Sequence, residues 1–201
     1  RSKKLEVRSE RNDGKFVFLT VARLVPVKNI GLQIEAMGVV VEKFPEVELW
    51  IVGDGPEFSN LKFKILNFKL NDNVKMLGRQ NDLQKYYSQA DVFLLTSNSE
   101  GWGLAVIEAA GFSMPIIMTD VGCAGEVIKN EQSGLVVPVG DKEKLAEAML
   151  KLMTDAARRE KLARSAKLAV SRLPRREQIL ALYKKSWEKA ANGNMSAQGA
   201  C

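Results

Sequence analysis

The sequence predicts an α/β domain built on a doubly wound, mostly parallel sheet of about six strands, with extra helices at its C-terminal end. Three observations carry that expectation. Short apolar, β-branched runs alternate with stretches whose apolar residues recur at helical spacing. The runs are apolar throughout, as strands covered on both faces must be. One of them, Val92-Phe-Leu-Leu95, leads into a Gly-rich turn and a short helix, Ser97-Asn-Ser-Glu100-Gly-Trp-Gly103-Leu-Ala-Val-Ile-Glu108. Such a junction is where open parallel sheets bind ligands.

In order, Phe16 to Val21 reads as the first strand, and Ile30, Ile34, Met37 and Val41 as the buried stripe of a helix ended by Phe44-Pro45. Glu48 to Val52 is the second strand. The turn Gly53-Asp-Gly-Pro56 is expected to open a helix with Pro56 at its first position, burying Phe58, Leu61, Ile65 and Phe68. Val74 to Leu77 is a third strand, and Asp82 caps a helix running to about Gln89. Val92 to Thr96 and Pro115 to Thr119 are the fourth and fifth strands, with a helix over Gly103 to Gly111 between them. Leu135 to Val137 is a short sixth. Asp141 caps a helix burying Leu145, Met149 and Leu152, and Leu162, Ala166 and Ala169 line the next. Pro174 breaks the pattern before an amphipathic helix built on Ile179, Leu182, Tyr183 and Trp187. The expected organisation is a linker remnant over 1–14, a sheet domain over 15–173, a C-terminal helix over 174–191 and a tail over 192–201. Right-handed crossovers then make the sheet Rossmann-like.

Composition narrows the function classes. Apolar residues make up 46% of the 201, with no run long enough to span a bilayer. The chain opens Arg1-Ser-Lys-Lys, without an initiator Met or an apolar leader core, and is expected to be a fragment of a longer protein. Two cysteines, Cys123 and Cys201, make no disulfide framework, so a cytoplasmic setting is expected. The absence of histidine excludes Ser-His-Asp and Cys-His catalysis within this chain. The net charge of +6 is peripheral: residues 1–15 and 158–189 are basic, whereas residues 16–157 are net acidic. Nucleic acid is therefore not an expected partner. The basic terminal helix fits a solvated face, or a peripheral contact with anionic lipid on the cytosolic side of a membrane.

Carboxylates Glu100 and Glu108 flank the Gly-rich turn. A helix start offers N–H groups to a phosphate, while a carboxylate repels phosphate but accepts from sugar hydroxyls. The combination points to a ligand carrying both groups, such as a nucleotide-sugar. No Gly-x-Gly-x-x-Gly follows the first strand, where the sequence is Ala22-Arg-Leu-Val-Pro-Val-Lys28, so a dinucleotide oxidoreductase is disfavoured. For Gly53-Asp-Gly-Pro56 a structural turn is favoured over a ligand contact.

Several motifs occur in a fixed order: Phe18-Leu-Thr-Val-Ala-Arg23-Leu-Val-Pro-Val-Lys28-Asn29, Val52-Gly53-Asp-Gly-Pro56, Leu77-Gly78, Ala90-Asp91-Val-Phe-Leu-Leu, Glu100-x7-Glu108 and Ser133-Gly134-Leu-Val-Val137. Together they resemble the C-terminal, donor-binding domain of the retaining GT-B glycosyltransferases of family 4, over about Lys15 to Leu152. The resemblance implies that Arg23 and Lys28 hold the diphosphate of a UDP-sugar or GDP-sugar donor, that Glu100 faces the donor sugar and that Glu108 accepts from the ribose hydroxyls. It implies backbone contacts to sugar and phosphate near Gly101, Trp102, Gly103 and Leu104, with Gly78 and Arg79 near the base and Gly53 beside them. No metal or other cofactor is implied. The acceptor domain, with a histidine that contacts the donor sugar, would be the missing N-terminal half, leaving this chain inactive alone. A non-catalytic nucleotide-sugar sensor or scaffold is the alternative. Two departures from the family pattern stand out. Gly122-Cys123-Ala-Gly125-Glu126 replaces a Gly-Gly turn followed by Pro and Glu, and Trp102 stands where Phe is more usual.

Overall fold

The structure, a computed structural model, describes residues 14–174, 177–178, 180–181 and 183–188. Six parallel strands form one sheet: β1 (Val17–Val21), β2 (Glu48–Val52), β3 (Val74–Gly78), β4 (Val92–Leu95), β5 (Ile116–Thr119) and β6 (Leu135–Val137). Their order is β3-β2-β1-β4-β5-β6. The chain works outward from β1 to β3, then returns to lay β4 on the other side of β1, so the order reverses between β1 and β4. At that seam the carboxyl ends of two neighbouring strands diverge into loops of opposite direction and leave a crevice.

The helices are α1 (Ile30–Val41), α2 (Phe58–Asn67), α3 (Gln84–Gln89), α4 (Leu104–Gly111), α5 (Lys142–Thr154) and α6 (Ala156–Ser171). α1 packs with α2 and α5, and α4 packs with α6. Alternation along the strands serves both sets. Phe18, Leu49, Ile51 and Leu94 join one core cluster with Ile34, Met37, Leu145 and Met149, while Phe93 turns its ring toward Tyr87. Asp141 caps α5 by accepting the Lys144 N–H at 2.9 Å, and Asp82 accepts that of Gln84 at 3.0 Å.

Two expectations need correction. α2 begins at Phe58 with Glu57 as its N-cap, two residues beyond Pro56. The intervening chain is tied to the loop after β1: Leu24 N–H donates to the Asp54 carbonyl at 2.9 Å, and Glu57 N–H to the Leu24 carbonyl at 3.0 Å. These bonds hold residues 54–57 in a turn. Phe68 is not buried on the α2 stripe but 44% exposed, its ring lying against Gly38 of α1.

The described residues fall into two compact units, one running to Ser171 and one starting at Arg172. In the second, residues 177–178, 180–181 and 183–188 are helical. Tyr183 and Trp187, expected on its apolar face, are exposed. Ile179 and Leu182, the linker remnant up to residue 13, the tail over 192–201 and Cys201 lie outside the described residues.

Candidate active site

The crevice between β1 and β4 is a cleft of about 480 Å³. Thr20, Ala22, Lys28, Ser97, Glu100, Trp102, Gly103 and Leu104 are among its lining residues. Beyond β1 the chain turns through a 3₁₀ segment, Pro26–Lys28, closed by Asn29 in a left-handed conformation (φ 45°). That turn aims Lys28 across the seam. Its Nζ donates to Glu100 Oε1 at 2.5 Å, and Ser97 Oγ donates to the same oxygen at 2.7 Å. The Glu100 side chain is only 10% exposed and that of Lys28 25%, so the pair is screened far less than a surface ion pair.

A buried polar network fixes the turn. Gln33 of α1, fully buried, donates its Nε2 to Thr96 Oγ1 at 2.9 Å and to Thr20 Oγ1 at 3.3 Å. The Thr96 hydroxyl reaches the carbonyls of Lys28 and Asn29 at 3.2 and 3.0 Å. A further clamp joins the two loops, with Asn98 N–H donating to the Val27 carbonyl at 2.7 Å. The position of Lys28 thus follows from backbone anchored on both strands.

α4 starts at the same edge. Its N-cap, Gly103, has φ +83°, a conformation that favours glycine. Val106 is the first residue of the helix whose N–H meets a helical carbonyl, that of Gly103 at 2.9 Å, leaving the Leu104 and Ala105 N–H groups to partners outside the helix. The turn before it is wedged by the loop after β5: Gly122, at φ +60°, sits where an added Cβ would lie 2.9 Å from Glu100 Cβ. Cys123 N–H donates to the Trp102 carbonyl at 3.1 Å. The departure from the family pattern at Gly122-Cys123 is therefore a packed support for the Glu100 turn. Burial pushes the Cys123 thiol up to about 11, and the charges of Glu100 and Glu126 add to it against a backbone hydrogen bond that pulls the other way.

The other residues singled out in the sequence are not among those lining this cleft, and all but Glu108 lie in the loops that follow the strands or at a strand end. Arg23 follows β1 with an exposed side chain and makes no side-chain ion pair among the described residues. Gly101 is exposed, with open space where a Cβ would be. Gly53 has φ +142°, and a Cβ there would fall 1.8 Å from the Ala22 carbonyl oxygen. Its N–H donates to the carbonyl of Gly78 at 2.8 Å, so the ends of β1, β2 and β3 are laced together. Gly78 (φ +64°) faces open space, and Arg79 beside it is exposed. Glu108 sits on α4 with an exposed side chain whose Oε2 accepts the Tyr87 hydroxyl at 2.9 Å. Thr20, Gln33, Tyr87 and Thr96 were not evident as site residues in the sequence. Hydroxyls at the ends of otherwise apolar strand runs were the one signal for Thr20 and Thr96. Among the described residues no group of three or more His, Cys, Asp or Glu side chains could hold a metal ion, and no helix is long and apolar enough to cross a membrane.

The arrangement offers a paired cation and carboxylate, free N–H groups at a helix start and an outlying carboxylate along one edge. Comparison with known proteins gives this edge a context. The model of the family described as glycosyl transferases group 1 matches residues 2–169. N-acetyl-alpha-D-glucosaminyl L-malate synthase of Bacillus anthracis is 28% identical over 172 residues, which are 86% of this chain and 45% of that protein. The UDP-Gal:alpha-D-GlcNAc-diphosphoundecaprenol alpha-1,3-galactosyltransferase of Escherichia coli is 32% identical over 146 residues, 70% of this chain and 37% of that one. Among solved structures, the pneumococcal O-GlcNAc transferase GtfA in complex with UDP and GlcNAc superimposes with a TM-score of 0.77 at 28% identity, over 90% of this chain and 37% of that chain. The chain spans less than half the length of each of these proteins.

Proposed function

Because the chain belongs to the glycosyl transferases group 1 family, we propose that it is the donor-binding domain of a retaining glycosyltransferase that moves a sugar from a UDP-sugar or GDP-sugar to an acceptor. The observation that carries this reading is the Lys28–Glu100 pair, set in the β1–β4 cleft beside the start of α4. Lys28 and the α4 N–H groups are cationic or positively polarised, which suits a diphosphate, and Arg23 stands on the same edge to meet it as the donor docks. Glu100 takes hydroxyls of the donor sugar and Glu108 those of the ribose. The nucleotide base lies by Gly78 and Arg79, and the backbone from Gly101 to Leu104 lies along the sugar and phosphates, with Gly53 bracing the edge beneath.

In the reaction, the bond between the anomeric carbon and the diphosphate oxygen breaks while a bond to the acceptor oxygen forms on the same face, and the acceptor hydroxyl gives its proton to the departing diphosphate oxygen. Charge accumulates on the departing diphosphate, and groups already aimed at that position stabilise it without reorganising. Lys28 and the helix start supply that field without a divalent metal. The acceptor and the opposite wall of the cleft come from a further half, in keeping with the span of the longer relatives. The present chain therefore binds donor but transfers nothing by itself.

Calorimetry with UDP and GDP in the presence of a chelator tests the reading. Binding is expected without added Mg²⁺ or Mn²⁺, and absolute dependence on either metal, or equal binding of plain pyrophosphate, overturns it. Joining the upstream half is expected to restore transfer. A full-length protein that binds donor without turnover would instead be a nucleotide-sugar sensor.

A further inference from the structure

We propose that Tyr87 is a positioning residue for nucleoside recognition: its hydroxyl holds one oxygen of Glu108, so that the other oxygen is presented to the ribose diol of a nucleoside diphosphate. The inference deepens the proposed function and rests on its reading of Glu108.

Three observations support it. Tyr87 lies on α3, 21 residues before Glu108, yet donates to Glu108 Oε2 at 2.9 Å. The ring that carries the hydroxyl is fixed: Tyr87 is 1% exposed, stacked on Phe112 (centroids 5.2 Å apart, planes 12°), with Phe93 at 6.0 Å on the β4 side. Glu108 itself is exposed, and among the described residues its Oε1 accepts no hydrogen bond. An exposed glutamate on a helix samples several rotamers and loses that freedom when it binds a ligand. A buried phenol that has already selected one of them removes part of this loss before the ligand arrives, which is pre-organisation in the ordinary sense.

The direction of the bond is also fixed. Burial first, then the hydrogen bond and the charge of Glu108, raise the Tyr87 phenol well above its usual range. It stays protonated, and therefore a donor, at neutral pH. A carboxylate has about four acceptor sites, so one phenol leaves room for two ribose hydroxyls. The placement carries a further meaning. α3 follows β3, whose end holds Gly78 and Arg79, so the Tyr87 bond ties the helix behind the proposed base site to the residue proposed to read the ribose.

A purely structural role for Tyr87 would affect stability without affecting which nucleotide is preferred, and this difference defines the test. Affinities for UDP and for 2′,3′-dideoxy-UDP are measured by calorimetry on the chain, with thermal melts as a check of folding. Tyr87→Phe keeps the ring and its stack. It is expected to weaken UDP by roughly three- to tenfold while changing the dideoxy nucleotide less than about twofold, so that the ratio between them contracts. Glu108→Gln should weaken UDP by about tenfold or more, and adding Tyr87→Phe to it should cause no further loss. Unaltered UDP binding in Glu108→Gln would sink the ribose reading of Glu108 itself. Weakened binding in Glu108→Gln with an unchanged ratio in Tyr87→Phe would overturn the role of Tyr87 alone. If Tyr87→Phe does not fold, Phe112→Leu carries the test at a half-buried ring: with the stack gone the hydroxyl loosens, and the ratio must contract there too. An unchanged ratio in whichever variant folds overturns the proposal.

Discussion

Glu100 and Glu108 stand eight residues apart at the two ends of one short turn and helix, and the structure treats them in opposite ways. Glu100 is almost enclosed, and one of its oxygens already accepts from both an ammonium and a hydroxyl. Glu108 is exposed, and among the described residues its side chain is met by a single neutral donor and by no cation. A ligand reaching Glu100 must therefore exchange partners within an existing ion pair, whereas a ligand reaching Glu108 adds partners to one that has spare capacity. Lys28 and Glu100 each serve as the other's partner. The same contrast holds for the backbone. Gly122 is wedged against the Glu100 turn and Gly53 against Ala22, while Gly78 faces open space.

The sharpest way to break this comparison is through turnover. In a protein carrying the proposed acceptor half, Lys28→Ala should lower the rate of nucleoside diphosphate release by roughly 10²–10³, the usual loss for one preorganised stabiliser of transition-state charge. Arg23→Ala should match it if Arg23 swings onto the diphosphate. Full activity in Arg23→Ala would confine the diphosphate to the Lys28 side, and full activity in both would move it elsewhere.

Next in size is the backbone contrast, read by urea unfolding. Gly53→Ala puts a methyl group inside contact distance of a carbonyl at a conformation that L residues avoid, and should destabilise by about 3 kcal/mol or more. Gly78→Ala meets no atom and bears only the conformational penalty, about 1–2 kcal/mol. Equal losses would mean that the two glycines are not constrained differently.

The ion pair itself is tested by Glu100→Gln. Freed from its carboxylate, Lys28 can meet a diphosphate without exchanging partners, so UDP binding should hold or rise by up to a few-fold while the sugar-bearing donor binds more weakly. A parallel loss for both ligands would refute the exchange. A separate test concerns Cys123. A thiol held up at about 11 in the fold and near 8.5–9 when unfolded contributes stability that is whole below pH 8.5 and is lost as pH rises toward 11, because between those values the folded state binds the extra proton. Urea midpoints from pH 8 to 11 should fall less steeply in Cys123→Ala than in the parent.

Much of this was legible in the chain. β2 and β6 fall on the expected residues, because a β-branched run bounded by turn residues leaves little choice. Lys28, Glu100, Trp102, Gly103 and Leu104 were singled out from sequence and meet around one cleft. What failed did so where contacts distant in sequence decide. Pro56 has the local chemistry of a first helical residue, but bonds to Leu24, more than thirty residues earlier, keep residues 54–57 in a turn. Phe68 completes the helical stripe on paper, but α2 ends before it and its ring rests on the edge of α1. In sequence Tyr87 reads only as part of a helix ending near Gln89, since nothing in a spacing of 21 residues announces a hydrogen bond to Glu108. Gln33 was hidden for the opposite reason: a polar residue among apolar neighbours on a helix reads as its solvent face, whereas here it is the buried tie between β1 and β4.

The strand reversal also sets an order of assembly. Val17 bonds to the Asp91 side chain across 74 residues, Lys28 pairs with Glu100 across 72, and Gln33 meets Thr96 across 63. β1 and β2, by contrast, pair across about thirty, so the β1–β2–β3 wing closes shorter loops than the seam does. The cleft is thus expected to form late in folding: on a chain growing from its N-terminus it has no floor until β4 has emerged and docked. Refolding of a Trp102→Phe, Trp187→Phe protein, in which Trp50 on β2 is the remaining tryptophan, should show the tryptophan signal settling before UDP capture. Any slowing of β4 docking would lengthen the period in which a largely structured molecule cannot yet hold its ligand.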